Sequence, residues 1–329
     1  MRVAVVGAGS WGTALAILLG RKGHDTFLYG RASEHLDQLA SRRENLRYLP
    51  GFLMPETVEV RPLADPLSTY DLCVIAVPAA ALQATLPQLR EQHSLCLASK
   101  GLAPQVDALL SELVTKALPE AEIAALSGPN LAIELAREVP TAAVAACPRE
   151  DLAEKVREAF MGPHYRVYIS DDLRGVELAG ALKNVMALGA GISDGLGFGD
   201  NTKGALLARG LNEITRLGLA MGARLDTFLG IAGVGDLIAT ASSDLSRNYR
   251  VGRAIGRGGS LEAALEEIGQ VAEGVETCHS AVQLAHRLKV DAPLTGTISQ
   301  MLTGDVDPRR AVSALMERTP KREGVLCDR

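Results

Sequence analysis

The chain has 329 residues, of which 47% are hydrophobic and 22% charged, and carries a formal net charge of −5. This length allows about two domains with a core each, and nothing in the acidic balance points to nucleic acid or an anionic membrane surface. Five cysteines, at 73, 96, 147, 278 and 327, form no CxxC pair, so neither a disulfide framework nor a zinc site is expected, and no metal is assigned.

No charged-then-apolar leader opens the chain, and no apolar run reaches the length of a bilayer span, which together read as a cytoplasmic protein. Residues 2–6 are apolar and largely β-branched and read as a buried strand. Gly7-Ala8-Gly9-Ser10-Trp11-Gly12 follows, and residues 13–19 read as a helix. In that context Gly7 serves a tight turn, Gly9 a close approach of the backbone to a diphosphate, and Gly12 close packing of helix on strand. The free N–H groups at the helix start would hold the anion. The helix is expected to stop at Lys22, with Gly23 just past its end.

Residues 25–29 read as a second strand, the end of which selects the nucleotide. An acid there would bond the ribose hydroxyls of NAD, but this chain continues Gly30-Arg31-Ala32-Ser33. Arg31, helped by Ser33, either pairs with the 2′-phosphate of NADP or is a solvated surface side chain. Residues 45–55 read as a loop, 71–77 as a central parallel strand ending at Pro78, 79–90 as a helix and 94–98 as the next strand. Lys100 stands at the same sheet edge as the glycine turn, either on the surface or against a ligand. A helix over 106–117 and a strand over 122–126 lead to Ser127-Gly128-Pro129-Asn130, where Asn130 is expected to cap a helix. Two more strands are expected at 141–146 and 166–169. Strands alternating with helices imply a doubly wound, mostly parallel, Rossmann-like sheet over 1–171.

From 172 to 329 the strands stop and an all-α domain is expected. Residues 172–190 read as a helix apolar nearly all round, which is the mark of burial. Lys183 lies in its middle, in a chain with eight lysines against twenty-six arginines. A buried ammonium must reach water, a partner or a ligand. Residues 191–201 read as a glycine-rich loop and 202–221 as a second buried helix. Three glycines then lead to Asp236, and Ser246-Arg247-Asn248 groups donors suited to a phosphate. His279 and His286 lie seven apart on one helix and, with no third ligand near, read as packing or surface residues. The last dozen residues are polar and expected to fray.

Taken together these motifs resemble the bacterial NAD(P)-dependent glycerol-3-phosphate dehydrogenases over essentially the whole chain. The resemblance rests on Gly7 to Ala14, Ser99-Lys100-Gly101-Leu102 and Ser127-Gly128-Pro129. It continues through Leu182-Lys183-Asn184-Val185, Gly189 to Gly197, Gly233 to Leu237, Ser246-Arg247-Asn248 and Val271-Ala272-Glu273-Gly274. It implies reversible reduction of dihydroxyacetone phosphate to sn-glycerol 3-phosphate, which feeds phospholipid synthesis, with NADP(H) preferred and NAD(H) accepted. It implies that Ser10, Trp11, Arg31, Lys100, Ala132, Arg247, Val271 and Glu273 contact the cofactor. Lys100, Gly128, Asn130, Lys183, Asp236, Ser246, Arg247 and Asn248 would surround the substrate, with Lys183 as acid/base. Asn130 stands where the family usually has Ser or Thr. The expected partner is the small-molecule substrate, with no nucleic acid and no membrane span; a homodimer is compatible with the chain. Two other readings are a related two-domain hydroxy-acid dehydrogenase and a silent NADPH-binding protein. Arg247-Asn248 argues against the first, and Lys183 with Asp236 against the second.

Overall fold

Four consecutive aliphatic side chains, Val3 to Val6, are fully buried in strand β1 (Arg2–Val6), as expected of a strand covered on both faces. In the computed structural model, which describes residues 1–63, 66–103, 108–319 and 324, β1 lies inside an eight-stranded sheet. The chain continues through α1 (Ser10–Arg21), β2 (Asp25–Gly30), α2 (Glu34–Arg42), a hairpin of β3 (Glu44–Asn45) and β4 (Leu49–Leu53), and edge strand β5 (Val58–Pro62). It re-enters on the other side of β1 as β6 (Leu72–Ile75), then α3 (Ala79–Thr85), a 3-10 turn (Leu86–Leu89) and β7 (Ser94–Leu97). A two-stranded ribbon, β8 (Leu102–Ala103) and β9 (Ala108–Leu109), precedes α4 (Leu110–Ala117) and β10 (Glu122–Ser127). The sheet is completed by α5 (Ala132–Ala136), β11 (Thr141–Ala146), α6 (Glu150–Phe160) and β12 (Tyr165–Ser170).

The strand order is β12-β11-β10-β7-β6-β1-β2-β5, and every pairing is parallel except β10 with β11. The order reverses between β1 and β6, the switch point outside whose carboxyl ends α/β sheets hold ligands. Helix α1 ends as expected at Gly23, whose N–H donates to Gly20 O at 2.9 Å while His24 N–H donates to Leu19 O at 3.2 Å. The expected loop over 45–55 is instead largely the β3–β4 hairpin, with Gly51 at φ +87° within β4. The start of the expected helix at Val106 lies outside the described residues, and α4 begins at Leu110.

Residues 1–100 with 110–173 make one unit, and 101–109 with 174–329 the other. Apart from the β8–β9 ribbon, the second unit is helical: α7 (Leu173–Gly195), α8 (Asp200–Ala220), α9 (Leu225–Leu229), α10 (Asp236–Ala241), α11 (Arg247–Gly256), α12 (Leu261–Ile268), α13 (Glu273–Leu288), α14 (Pro293–Thr303) and α15 (Pro308–Met316). Every residue from 175 to 193 of α7 is buried. The expected loop at 191–201 proves to be helix as far as Gly195. Its glycines serve packing: a Cβ on Gly191 or Gly195 would strike the backbone of α11, and one on Gly252 or Gly256 would strike the backbone of α7. Two helices thus cross backbone to backbone through paired glycines. Helix α8 differs from the expected buried helix, since no residue of its first half before Gly210 is fully buried. No described helix is long and apolar enough to cross a membrane.

Candidate functional site

In the first unit the glycine turn links β1 to α1. Gly7 has φ +124°, and a Cβ there would lie 2.6 Å from the Ala76 carbonyl. A Cβ on Gly12 would collide with Gly7 O, whereas one on Gly9 would meet open space. The N-cap residue of α1, Gly9, offers no side-chain cap, and no acid stands in the first turn. Ser10, Trp11 and Gly12 therefore leave the positive end of α1 free for an anion. Asn45, fully buried, braces this turn by donating to Ala8 O at 3.1 Å and Thr13 Oγ1 at 2.8 Å. Trp11 Nε1 donates to Ala98 O at 3.1 Å just past β7. An acid-free helix start with open space beside Gly9 fits a dinucleotide diphosphate.

Arg31 is exposed just after β2. Ser33 caps α2, accepting from Leu36 N–H at 3.3 Å and donating to Arg31 O at 3.2 Å. Lys100 Nζ donates to Gly128 O at 2.9 Å, joining the ends of β7 and β10. Gly128 has φ +150°, and a Cβ there would lie 2.8 Å from Ala142 O. The Ser127 hydroxyl is buried with no hydrogen-bond partner among the described residues. The expected cap by Asn130 is not formed: Leu131 is the N-cap of α5, whose first residue is Ala132. Asn130 Nδ2 instead donates to Ala142 O at 2.8 Å and its Oδ1 accepts from the Tyr165 hydroxyl. Both ends of this amide are occupied across the sheet edge, so neither reaches the start of α5.

In the second unit Lys183 is 5% exposed and Asp236 1%. Lys183 Nζ donates to Asp236 Oδ1 at 2.7 Å and to the Thr240 hydroxyl, which itself donates to Asp236 Oδ1 at 3.1 Å. The buried ammonium thus has a carboxylate and a hydroxyl as partners. A π-helical turn, Ile231–Gly235, precedes Asp236 and aims it, and a Cβ on Gly233 would collide with the Phe228 backbone. Thr240 was not singled out by the sequence; its one signal is the four-residue spacing from Asp236, which puts both on one helix face.

Ser246 is the N-cap of α11 and accepts from Tyr249 N–H at 3.2 Å. Arg247 is the first helical residue, half-buried, with no acid in its turn and no side-chain partner among the described residues. A cation at the positive end of a helix is unfavourable unless an anion joins it. The side-chain oxygen of Asn248 accepts from Gly274 N–H at 2.9 Å. A Cβ on Gly274 would lie 2.8 Å from both Asn184 O and Asn248 Oδ1. The segments carrying Lys183-Asn184, Ser246-Arg247-Asn248 and Val271 to Gly274 thus converge at Gly274. Val271 is exposed, and Glu273 is half-buried as the first residue of α13. His279 and His286 are exposed on α13, and no metal-ligating cluster occurs among the described residues.

Residues 2–153 match the family described as NAD-dependent glycerol-3-phosphate dehydrogenase N-terminus, and 172–313 match the corresponding C-terminus. The chain is 45% identical over 326 residues to a glycerol-3-phosphate dehydrogenase [NAD(P)+] from Desulfitobacterium hafniense, covering 98% of this chain and 93% of that one. The crystal structure of glycerol-3-phosphate dehydrogenase from Coxiella burnetii superposes with a TM-score of 0.91 at 36% identity, covering 96% and 99% of the two chains. The yeast enzyme superposes at 0.79 with 27% identity, covering 96% of this chain and 99% of that one. Motifs, fold and these likenesses agree: the chain belongs to the NAD-dependent glycerol-3-phosphate dehydrogenase family.

Proposed function

We propose that the protein is a cytoplasmic, NAD(P)-dependent sn-glycerol-3-phosphate dehydrogenase that interconverts dihydroxyacetone phosphate and sn-glycerol 3-phosphate, with NADPH preferred. The observation that carries the reading is Arg247: a guanidinium with no partner among the described residues at the start of α11, beside the N–H groups of Arg247 and Asn248 that have no acceptor within the helix. That arrangement favours a phosphate dianion, through charge-assisted bonds. It also separates this reading from a dehydrogenase for unphosphorylated hydroxy acids.

The cofactor, when bound, supplies or receives the hydride. Gly9, Ser10, Trp11 and Gly12 would hold its diphosphate at α1, and Arg31 its 2′-phosphate at the end of β2. By family resemblance Lys100, Ala132, Arg247, Val271 and Glu273 complete the cofactor contacts. Ser246, Arg247 and Asn248 would hold the substrate phosphate and so fix the reacting carbon. Lys183 Nζ gives its proton to the carbonyl oxygen as negative charge grows there, and takes the hydroxyl proton in the reverse direction. Asp236 and Thr240 orient Nζ, and the Asp236 carboxylate stabilises the ammonium that gives the proton. For Lys100, Gly128 and Asn130 as substrate contacts the support is the resemblance alone.

The test is loss of reduced-nicotinamide absorbance on adding dihydroxyacetone phosphate to enzyme and NADPH. Turnover is expected with this ketone and far less with unphosphorylated dihydroxyacetone. Equal turnover of both would favour a hydroxy-acid or polyol dehydrogenase, and none with any ketone a silent NADPH-binding protein.

A further inference from the structure

Helix α13 starts without a side-chain cap of its own, because its N-cap residue is Ala272. One of its orphan N–H groups, that of Gly274, is satisfied from another helix by Asn248 Oδ1 at 2.9 Å. A backbone N–H requires an acceptor, which fixes which end of the Asn248 amide faces it. The amide NH2 is therefore the end left as a donor, on the second residue of α11 and next in sequence to Arg247. Any side chain at 274 would displace this amide, since a Cβ would lie 2.8 Å from Asn248 Oδ1, 3.0 Å from Asn248 Cγ and 2.8 Å from Asn184 O.

We propose that Gly274 is a positioning residue for substrate recognition: its N–H and its missing Cβ hold Asn248 with the amide NH2 presented to the substrate phosphate. This rests on the reading of Ser246-Arg247-Asn248 as the phosphate site. Gly274 itself touches no substrate; it sets which end of Asn248 does. The same contact joins the start of α11 to the segment carrying Val271 and Glu273, which the family resemblance places at the cofactor.

The experiment uses the full chain with NADPH and compares dihydroxyacetone phosphate with dihydroxyacetone. Asn248→Asp keeps an oxygen for Gly274 N–H and places a carboxylate at two helix starts, where it is favourable, so the fold is retained. Its second oxygen can only accept, and it repels phosphate. KM for dihydroxyacetone phosphate is expected to rise about tenfold or more, a larger factor than any change in KM for dihydroxyacetone. Gly274→Ala is expected to raise the same KM in the same phosphate-dependent way, with KM for NADPH within about twofold. A Gly274→Ala enzyme with lowered thermal stability but an unchanged KM for dihydroxyacetone phosphate overturns the proposal. So does an Asn248→Asp enzyme whose two substrates lose equally. If the unaltered enzyme does not prefer the phosphorylated ketone, the phosphate-site reading has itself failed, which is a separate result from either variant.

Discussion

Lys183 Nζ and Asp236 Oδ1 lie 2.7 Å apart, with side chains 6% and 1% exposed. Removing one partner of such a pair leaves a buried charge uncompensated, which costs about 3–5 kcal/mol. Lys183→Met and Asp236→Leu are each expected to lower the unfolding free energy by about that much. The double variant is expected to recover most of it, since apolar replacement of a whole buried pair is often neutral. Activity is expected not to follow stability. On the proposed acid/base role, every variant lacking Lys183 should lose at least about a hundredfold in kcat. On the same proposed role, oxidation of glycerol 3-phosphate by the unaltered enzyme should rise with pH, since an amine takes the hydroxyl proton only after giving up its own. A double variant that regains both stability and kcat would remove the acid/base role from Lys183.

Arg247→Ala tests the phosphate site directly. KM for dihydroxyacetone phosphate should rise about tenfold or more, and dihydroxyacetone should be turned over as before. Some rise in KM for NADPH is also expected, as the family places this side chain near the cofactor. Steady-state kinetics with both ketones check it. Equal losses on the two would point to the fold of α11 instead.

The crossing of α7 and α11 yields a stability prediction with no catalytic content. A Cβ on Gly252 would strike the Leu188 carbonyl, so Gly252→Ala should destabilise by about 1–3 kcal/mol, through overpacking against backbone that cannot give way. Denaturant unfolding measures it. A change below about half a kcal/mol would mean the helices can separate there without loss.

Much of the fold could be read locally and the remainder could not, for physical reasons. Strands β1, β6, β7 and β10 are short apolar runs bounded by turns, and α7 is apolar on every side; such patterns survive in one dimension. Gly191 and Gly195 carry a loop signal in sequence because glycine lowers helix propensity, yet here close helix packing outweighs that cost of about 1 kcal/mol per residue. Asn130 carries the composition of a cap, but it bonds to Ala142 and Tyr165, partners distant in sequence. The site divides likewise. Lys183 was legible as a polar group in an apolar helix, whereas Thr240 and Asn45 gain meaning only from what tertiary folding sets beside them.

The cysteines give a chemical check on the core. Burial pushes the Cys73 and Cys278 thiols up to about 12 and raises those of Cys96 and Cys147 as well. All four are buried in the native state, so they should resist iodoacetamide near pH 8 and react once the chain unfolds. Peptide mapping of the labelled protein reads each one separately, and Cys327 lies outside the described residues. Rapid native labelling of any of the four would contradict its place in the core.

Cofactor choice gives the last prediction. Strand β2 ends at Gly30, and Gly30-Arg31-Ala32-Ser33 holds no acid at the strand tip, where a carboxylate would accept from the ribose hydroxyls of NAD and repel a 2′-phosphate. Arg31 is exposed at that end and supplies the cation. Ser33, the second candidate, has its hydroxyl engaged by Leu36 N–H and by Arg31 O. The two positions should therefore separate. Arg31→Asp should weaken NADPH about tenfold or more, leave NADH within about threefold, and so reverse or abolish the preference. Ser33→Ala should cost about 1 kcal/mol of stability through the lost cap on α2 and leave the ratio of NADPH to NADH affinity unchanged. Equilibrium binding of each reduced cofactor measures both. If Arg31→Asp weakens the two cofactors equally, Arg31 does not read the 2′-phosphate. If Ser33→Ala shifts the ratio instead, the hydroxyl leaves its cap when the cofactor binds, and recognition of the phosphate belongs to Ser33.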